Sequence, residues 1–192
     1  MPLPDLYILR HGETVANAEG RMQGGLDSPL TAKGLAQAEA MADLLRGQGL
    51  IAGEFDLFSS PQGRALQTAA PIARVFGAEV QPEPRIAEIG MGQWAGLLLT
   101  EIAERWPAHT ENESVLDFYA RAPEGERFNS LWARTGAFLS GLTRPAVIVT
   151  HGFTSRFLRT QIMGYGMDRL GDVPDGQGVI FAFRDGQQTI LK

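Results

Sequence analysis

Two histidines each stand between a short apolar run and a glycine: His11 in LYILRHG and His151 in VIVTHG. Arg10 directly precedes the first, and Arg64 follows another apolar run in DLFSSPQGR. Two arginines and two histidines gathered at one place would make a site for a multiply charged anion, because a guanidinium fork matches phosphate oxygens two at a time. A neutral imidazole is a competent nucleophile toward phosphorus. Neighbouring cations should lower its pKa from about 6.5 and keep it neutral at pH 7. The same arginines would repel a metal ion, so the expected site holds no metal and calls for no cofactor. Gly12 and Gly152 let the backbone turn tightly beside a ligand. Phosphoryl transfer also needs a proton for the leaving group. Glu88, in RIAEIGMGQWAG, and Glu13, two residues from His11, compete for that task, and on the residues alone they stand level.

These groups need elements that bring them together. Strands are expected at Asp5–Arg10, Glu54–Ser59, Glu79–Gln81 and Ala146–Thr150, where β-branched and apolar residues run together. Thr31 reads as the N-cap of a helix to Arg46, and Ser60-Pro61 as the start of one to Phe76, with Arg64 in its first turn. Further helices are expected over Leu99–Trp106, Ser114–Arg121, Arg127–Leu142 and Thr154–Met163. Gly12–Leu30 reads as a long loop, of a length more often functional than structural. Val179–Arg184 and Gln187–Leu191 flank Asp185-Gly186, a hairpin signal. Strands alternating with helices predict an α/β three-layer sandwich, with a mostly parallel central sheet, an antiparallel edge and helices on both faces. Such sheets bind ligands beyond the carboxyl ends of their strands, which is where Arg10, His11, Arg64 and His151 should meet. The helices opening near Pro61 and after His151 should aim N–H groups at the same anion.

Composition narrows the partners. The 192 residues are 44% hydrophobic and 20% charged, with 22 acidic against 17 basic side chains and a net charge of -5. A nucleic-acid or anionic-membrane partner would need a basic face, so neither is expected. No apolar run approaches the ~18 residues of a membrane helix, and Leu6–Leu9 is too short for a signal segment. The absence of cysteine excludes a disulfide framework, a thiolate metal site and a cysteine nucleophile. A single domain over residues 1–192 in the cytoplasm is the default expectation, and edge-strand or helix pairing could join two copies as a homodimer. His109 reads as surface. Gly90, Gly92 and Gly96 lack the spacing and the strand-to-helix setting of a dinucleotide loop.

Taken in order, LYILRHGETVAN, SSPQGRALQTA, AEIGMGQWAG and VIVTHG resemble the histidine phosphatase superfamily, the phosphoglycerate mutase-like fold, over essentially the whole chain. The resemblance implies that His11 is the phosphorylated histidine, that Arg10, Arg64 and His151 form the phosphate pocket, and that Asn17 adds a contact. It also favours Glu88 over Glu13 as proton donor. RMQGGLDSPLTAKG resembles the phosphatase form of the loop, with Gln23 before Gly24 where mutases carry Ser or Thr, so Gln23, Gly24 and Gly152 join the expected substrate contacts. Gly25 departs from relatives that have tryptophan there, and Arg127 departs from the family's turn at Gly125-Glu126. Between Glu88 and Arg127 there is no lysine and no adjacent pair of arginines to hold the carboxylate of phosphoglycerate. The expected activity is therefore metal-independent hydrolysis of a small phosphorylated metabolite through a phosphohistidine. The alternatives are a cofactor-dependent phosphoglycerate mutase and, from another class, a non-catalytic phospho-ligand binding module.

Overall fold

The computed structural model describes residues 3–108 and 112–192, so the expectation for His109 lies outside the described residues. Six strands form one sheet: β1 (Leu6–Arg10), β2 (Asp56–Ser59), β3 (Val80–Pro82), β4 (Ala146–Thr150), β5 (Ile180–Arg184) and β6 (Gln187–Leu191). Their order is β3-β2-β4-β1-β5-β6. The first four run parallel, and β5 and β6 form the antiparallel edge. Asp185 and Gly186, at φ 49° and 74°, make the tight turn between them.

Alternation along the strands builds the three layers. Tyr7, Leu9, Leu57, Val147 and Val149 face one side, where they meet Met41 and Leu45 of α2 (Ala32–Arg46) and Ala69 and Ile72 of α3 (Gly63–Phe76). Leu6, Ile8, Ala146 and Ile148 face the other, against Phe138 of α6 (Phe128–Leu139) and Leu158 of α7 (Gly152–Ile162). A third cluster around Trp94 packs beneath α4 (Leu99–Arg105) and α5 (Val115–Ala120). This is the expected α/β sandwich. No helix among the described residues is long and apolar enough to cross a membrane.

Several boundaries differ from the sequence expectation. Residues 12–30 are not all loop: Thr14 caps a single turn, α1 (Val15–Ala18), and bridges back to Leu30. The helix expected from Pro61 opens at Gly63 with Gln62 as N-cap; the Ser60 hydroxyl accepts the Gln62 amide at 3.3 Å and also faces His151 Nε2 at 2.7 Å. The helix after β4 begins at Gly152, two residues early, with His151 itself as N-cap.

Candidate active site

Parallel pairing of β1, β4 and β2 fixes where the site forms. Arg10 lies opposite Thr150 in register, and Ser59 opposite Val149, so His11, His151 and Ser60 emerge side by side at the carboxyl edge. The amide of His11 donates to Thr150 O at 2.9 Å and that of Ser60 to Val149 O at 2.9 Å, continuing the ladder to the first residue of each loop. The imidazoles stand edge to face with centroids 5.1 Å apart.

Arg64, on the first turn of α3, sits between them almost fully buried. Its Nε–H is shared: it donates to His11 Nε2 and to His151 Nδ1, each at 3.2 Å. That contact sets both tautomers. Nδ1 of His11 must carry its proton, which it donates to the Gly12 carbonyl at 2.8 Å, leaving a lone pair on Nε2. Nε2 of His151 must carry the other, facing Ser60 Oγ. Burial first, then the charge of Arg64, lowers the His11 pKa from 6.5 to about 3. Burial, His11 and Arg64 likewise hold His151 well below the ordinary histidine value.

Five of the expected residues line one cleft with His11 and Glu88: Arg10, Asn17, Gln23, Gly24 and Arg64. Asn17 Oδ1 accepts from the Thr14 amide at 3.2 Å, so what the side chain has left for a ligand is its NH2 group. Gln23 is buried with Oε1 lacking a hydrogen-bond partner. Arg10 pairs with Asp175 at 2.9 Å. Of the two competing carboxyls, only Glu88 lines the cleft; Glu13 is bound to Lys33 at 2.8 Å and to Thr31 at 3.0 Å.

Three expectations need correction. His151 and Gly152 do not line the cleft. His151 is buried behind Arg64, and Gly152 serves by leaving room for Arg10, whose Cζ would lie 3.2 Å from a Cβ at that position. The two helix starts do not offer their amides to an anionic ligand. At α7 the amides of Phe153 and Thr154 hold Glu88, at 3.3 and 3.1 Å. At α3 the amides of Gly63 and Arg64 hold Asp27, at 2.6 and 3.2 Å. Nor is the Arg64 fork free for two phosphate oxygens, since it also donates to the carbonyls of Leu26 and Gly24. Burial favours internal partners over an unsatisfied cation.

Asp27, Ser60, Gln62, Tyr119 and Asp175 were missed as site residues. Gln62 accepts from the Glu88 amide at 2.9 Å and donates to Gly24 O at 2.8 Å, joining the two walls of the cleft. Tyr119 lines the outer part and stacks on Phe153 with centroids 4.1 Å apart; burial, then the Glu88 charge, raises its pKa. Asp27 alone had a usable signal, a carboxylate in the LDSPLT stretch leading into α2. A Cβ on Gly25 would meet open space, so packing does not require glycine there. The Gly125-Glu126 turn keeps a supporting role: the Glu126 amide donates to Gly90 O at 2.8 Å, and its carboxylate is held by Arg134 at 2.7 Å.

A three-layer sandwich carrying two histidines and two arginines at the carboxyl edge of its parallel strands defines a class. The chain belongs to the histidine phosphatase superfamily, branch 1, whose model matches residues 6–192. It is 37% identical over 167 residues to a probable phosphoglycerate mutase GpmB of Yersinia pestis, covering 83% of this chain and 74% of that one. A mycobacterial glucosyl-3-phosphoglycerate phosphatase in complex with VO3 superposes with a TM-score of 0.82 at 25% identity, covering 97% of each chain. Bacillus stearothermophilus YhfR gives 0.77 at 29% identity, covering 97% of this chain and 95% of that one.

Proposed function

We propose that the protein is a phosphomonoester hydrolase that acts on a small phosphorylated metabolite through a phosphohistidine, without a metal. The observation that carries this reading is the His11 ring: it lines the cleft, is neutral, and is anchored through Nδ1–H to Gly12 O, with an unprotonated Nε2 that meets the Arg64 Nε–H at 3.2 Å. Nε2 attacks phosphorus, the ester P–O bond breaks, and the leaving oxygen takes a proton from Glu88. The Glu88 carboxylate then draws a proton from water, whose oxygen attacks phosphorus. The N–P bond breaks and its electron pair returns to Nε2. Arg10, Arg64 and the Asn17 NH2 group stabilise the charge on the phosphoryl oxygens. His151 keeps an acceptor for the Arg64 Nε–H while His11 Nε2 is bonded to phosphorus, so the buried donor is never stranded.

A mutase is the second reading, favoured by the likeness to the probable phosphoglycerate mutase. Against it, residues 89–126 contain no lysine, and their Arg105 and Arg121 are paired with Glu101 and Glu113. Met22, Met91 and Leu99 also line the cleft, and the further cation there, Arg21, is paired with Glu19 at 2.9 Å. Phosphate release across a panel of phosphomonoesters, chelator present, tests the first reading. An acid-labile phosphoenzyme should form in the wild type and vanish in His11→Ala; unchanged turnover in that variant sinks the proposal. Adding a bisphosphorylated cofactor to 3-phosphoglycerate separates the mutase, which would interconvert phosphoglycerates with little free phosphate.

A further inference from the structure

Arg64 has five N–H bonds, and the direction of one of them decides how both histidines are presented. Nη1 donates to Leu26 O at 2.7 Å and to Asp27 Oδ1 at 3.3 Å, and Nη2 to Gly24 O at 2.9 Å. All three acceptors belong to the segment between α1 and α2. The same Asp27 carboxylate ties that segment to the first turn of α3: Oδ2 accepts the Gly63 amide at 2.6 Å and Oδ1 the Arg64 amide at 3.2 Å. One oxygen therefore grips Arg64 at its backbone and its guanidinium together. The approach requires glycine at position 63, because a Cβ there would overlap the carboxylate.

We propose that Asp27 is a positioning residue for the phosphoryl transfer, setting the rotation of Arg64 so that its Nε–H points between His11 Nε2 and His151 Nδ1. The proposal rests on the functional reading above. A flexible arginine side chain has many rotamers, and the Leu26 and Gly24 carbonyls can select one only while their segment is fixed to α3. Asp27 makes the charge-assisted part of that attachment, beside the neutral hydrogen bonds from Gln62 Nε2 to Gly24 O and from the Leu30 amide to Gln67 Oε1. Without it the guanidinium turns, and His11 Nε2 and His151 Nδ1 both lose their donor, while the Gly12 carbonyl still holds the Nδ1–H of His11.

Asp27→Asn separates positioning from simple capping, since Asn caps a helix as well as Asp but has one oxygen where the carboxylate accepts from four donors, the amides of Ser28, Gly63 and Arg64 and the Arg64 guanidinium. The expected result is a folded protein, shown by its thermal transition, with kcat lowered at least tenfold. The 15N resonances of His11 Nε2 and His151 Nδ1 should shift with it. Gly63→Ala keeps the carboxylate but displaces it, so it should give the same pair of changes, and it decides the matter where the first variant does not fold. Unchanged ring resonances in a folded variant would overturn the proposal, whether or not activity falls. If the wild type forms no phosphoenzyme, the functional reading fails, while the ring resonances still report on Asp27.

Discussion

Oε1 of Glu88 accepts from the amides of Ile89 and Thr154 and from the Thr154 hydroxyl, at 3.0, 3.1 and 2.9 Å, whereas Oε2 has only the Phe153 amide at 3.3 Å. The less occupied oxygen, Oε2, is the better place for a proton to be donated. Glu88→Gln keeps the shape and an acceptor oxygen while removing the acid. Its kcat should fall roughly 10²–10⁴-fold, the range for loss of a general acid, and fall less with an aryl phosphate whose leaving group needs no proton. Steady-state rates on both substrate types check this. The choice between Glu13 and Glu88 shows what the residues alone could settle. Glu13 stood two residues from the candidate nucleophile, and Glu88 in an irregular glycine-rich stretch of the kind that lines sites. What separates them is Lys33, which comes to Glu13 from the first turn of a different element.

At the scale of elements, the start of α2 presses against the loop that carries His11. A Cβ on Gly12 would collide with the backbone of Gly34, and one on Gly34 with the backbone of Glu13. Two glycines thus let α2 lie against the His11 loop with no side chain between. Gly34→Ala should cost roughly 1–3 kcal/mol, as over-packing does, and should lower activity by pushing residues 12 and 13 toward the cleft. Urea unfolding and kcat measured on the same preparation test both effects. Helices closed by local caps were readable in advance, as at Thr31 and Ser114. The start of α3 was not, because the Ser60 hydroxyl that looked like a cap is shared between the Gln62 amide and His151, 91 residues away, and the helix opens only after Gln62. The turn α1, four residues long, is too short for a periodic pattern to show.

For the molecule as a whole, two buried neutral histidines make stability depend on pH. In the unfolded chain both titrate near their ordinary value of about 6.5. In the folded chain His11 is lowered to about 3 and His151 is held well below the ordinary value. Below pH 6.5 the unfolded state therefore binds more protons than the folded one. Stability that is full above that pH is lost as pH falls toward the folded values, by up to about 1.4 kcal/mol per pH unit for each histidine. Urea unfolding between pH 7 and pH 5 should show this slope, and a His11→Gln/His151→Gln protein should flatten it. The layers and the meeting of four basic groups at one edge were legible because strand patterns and the carboxyl-edge rule act over short stretches of chain. The occupants of the helix starts were not. Glu88 and Asp27 reach those amides only through the packing of distant loops.

The arginine N–H that serves both rings also bears on how such a site can change over time. Replacing either histidine leaves the shared donor with one acceptor, and replacing the arginine leaves two buried rings without the contact that orients them. Substitutions at 11, 64 and 151 are therefore epistatic. A lineage that drops one of the three gains little by keeping the other two, so the three positions should be kept or lost together.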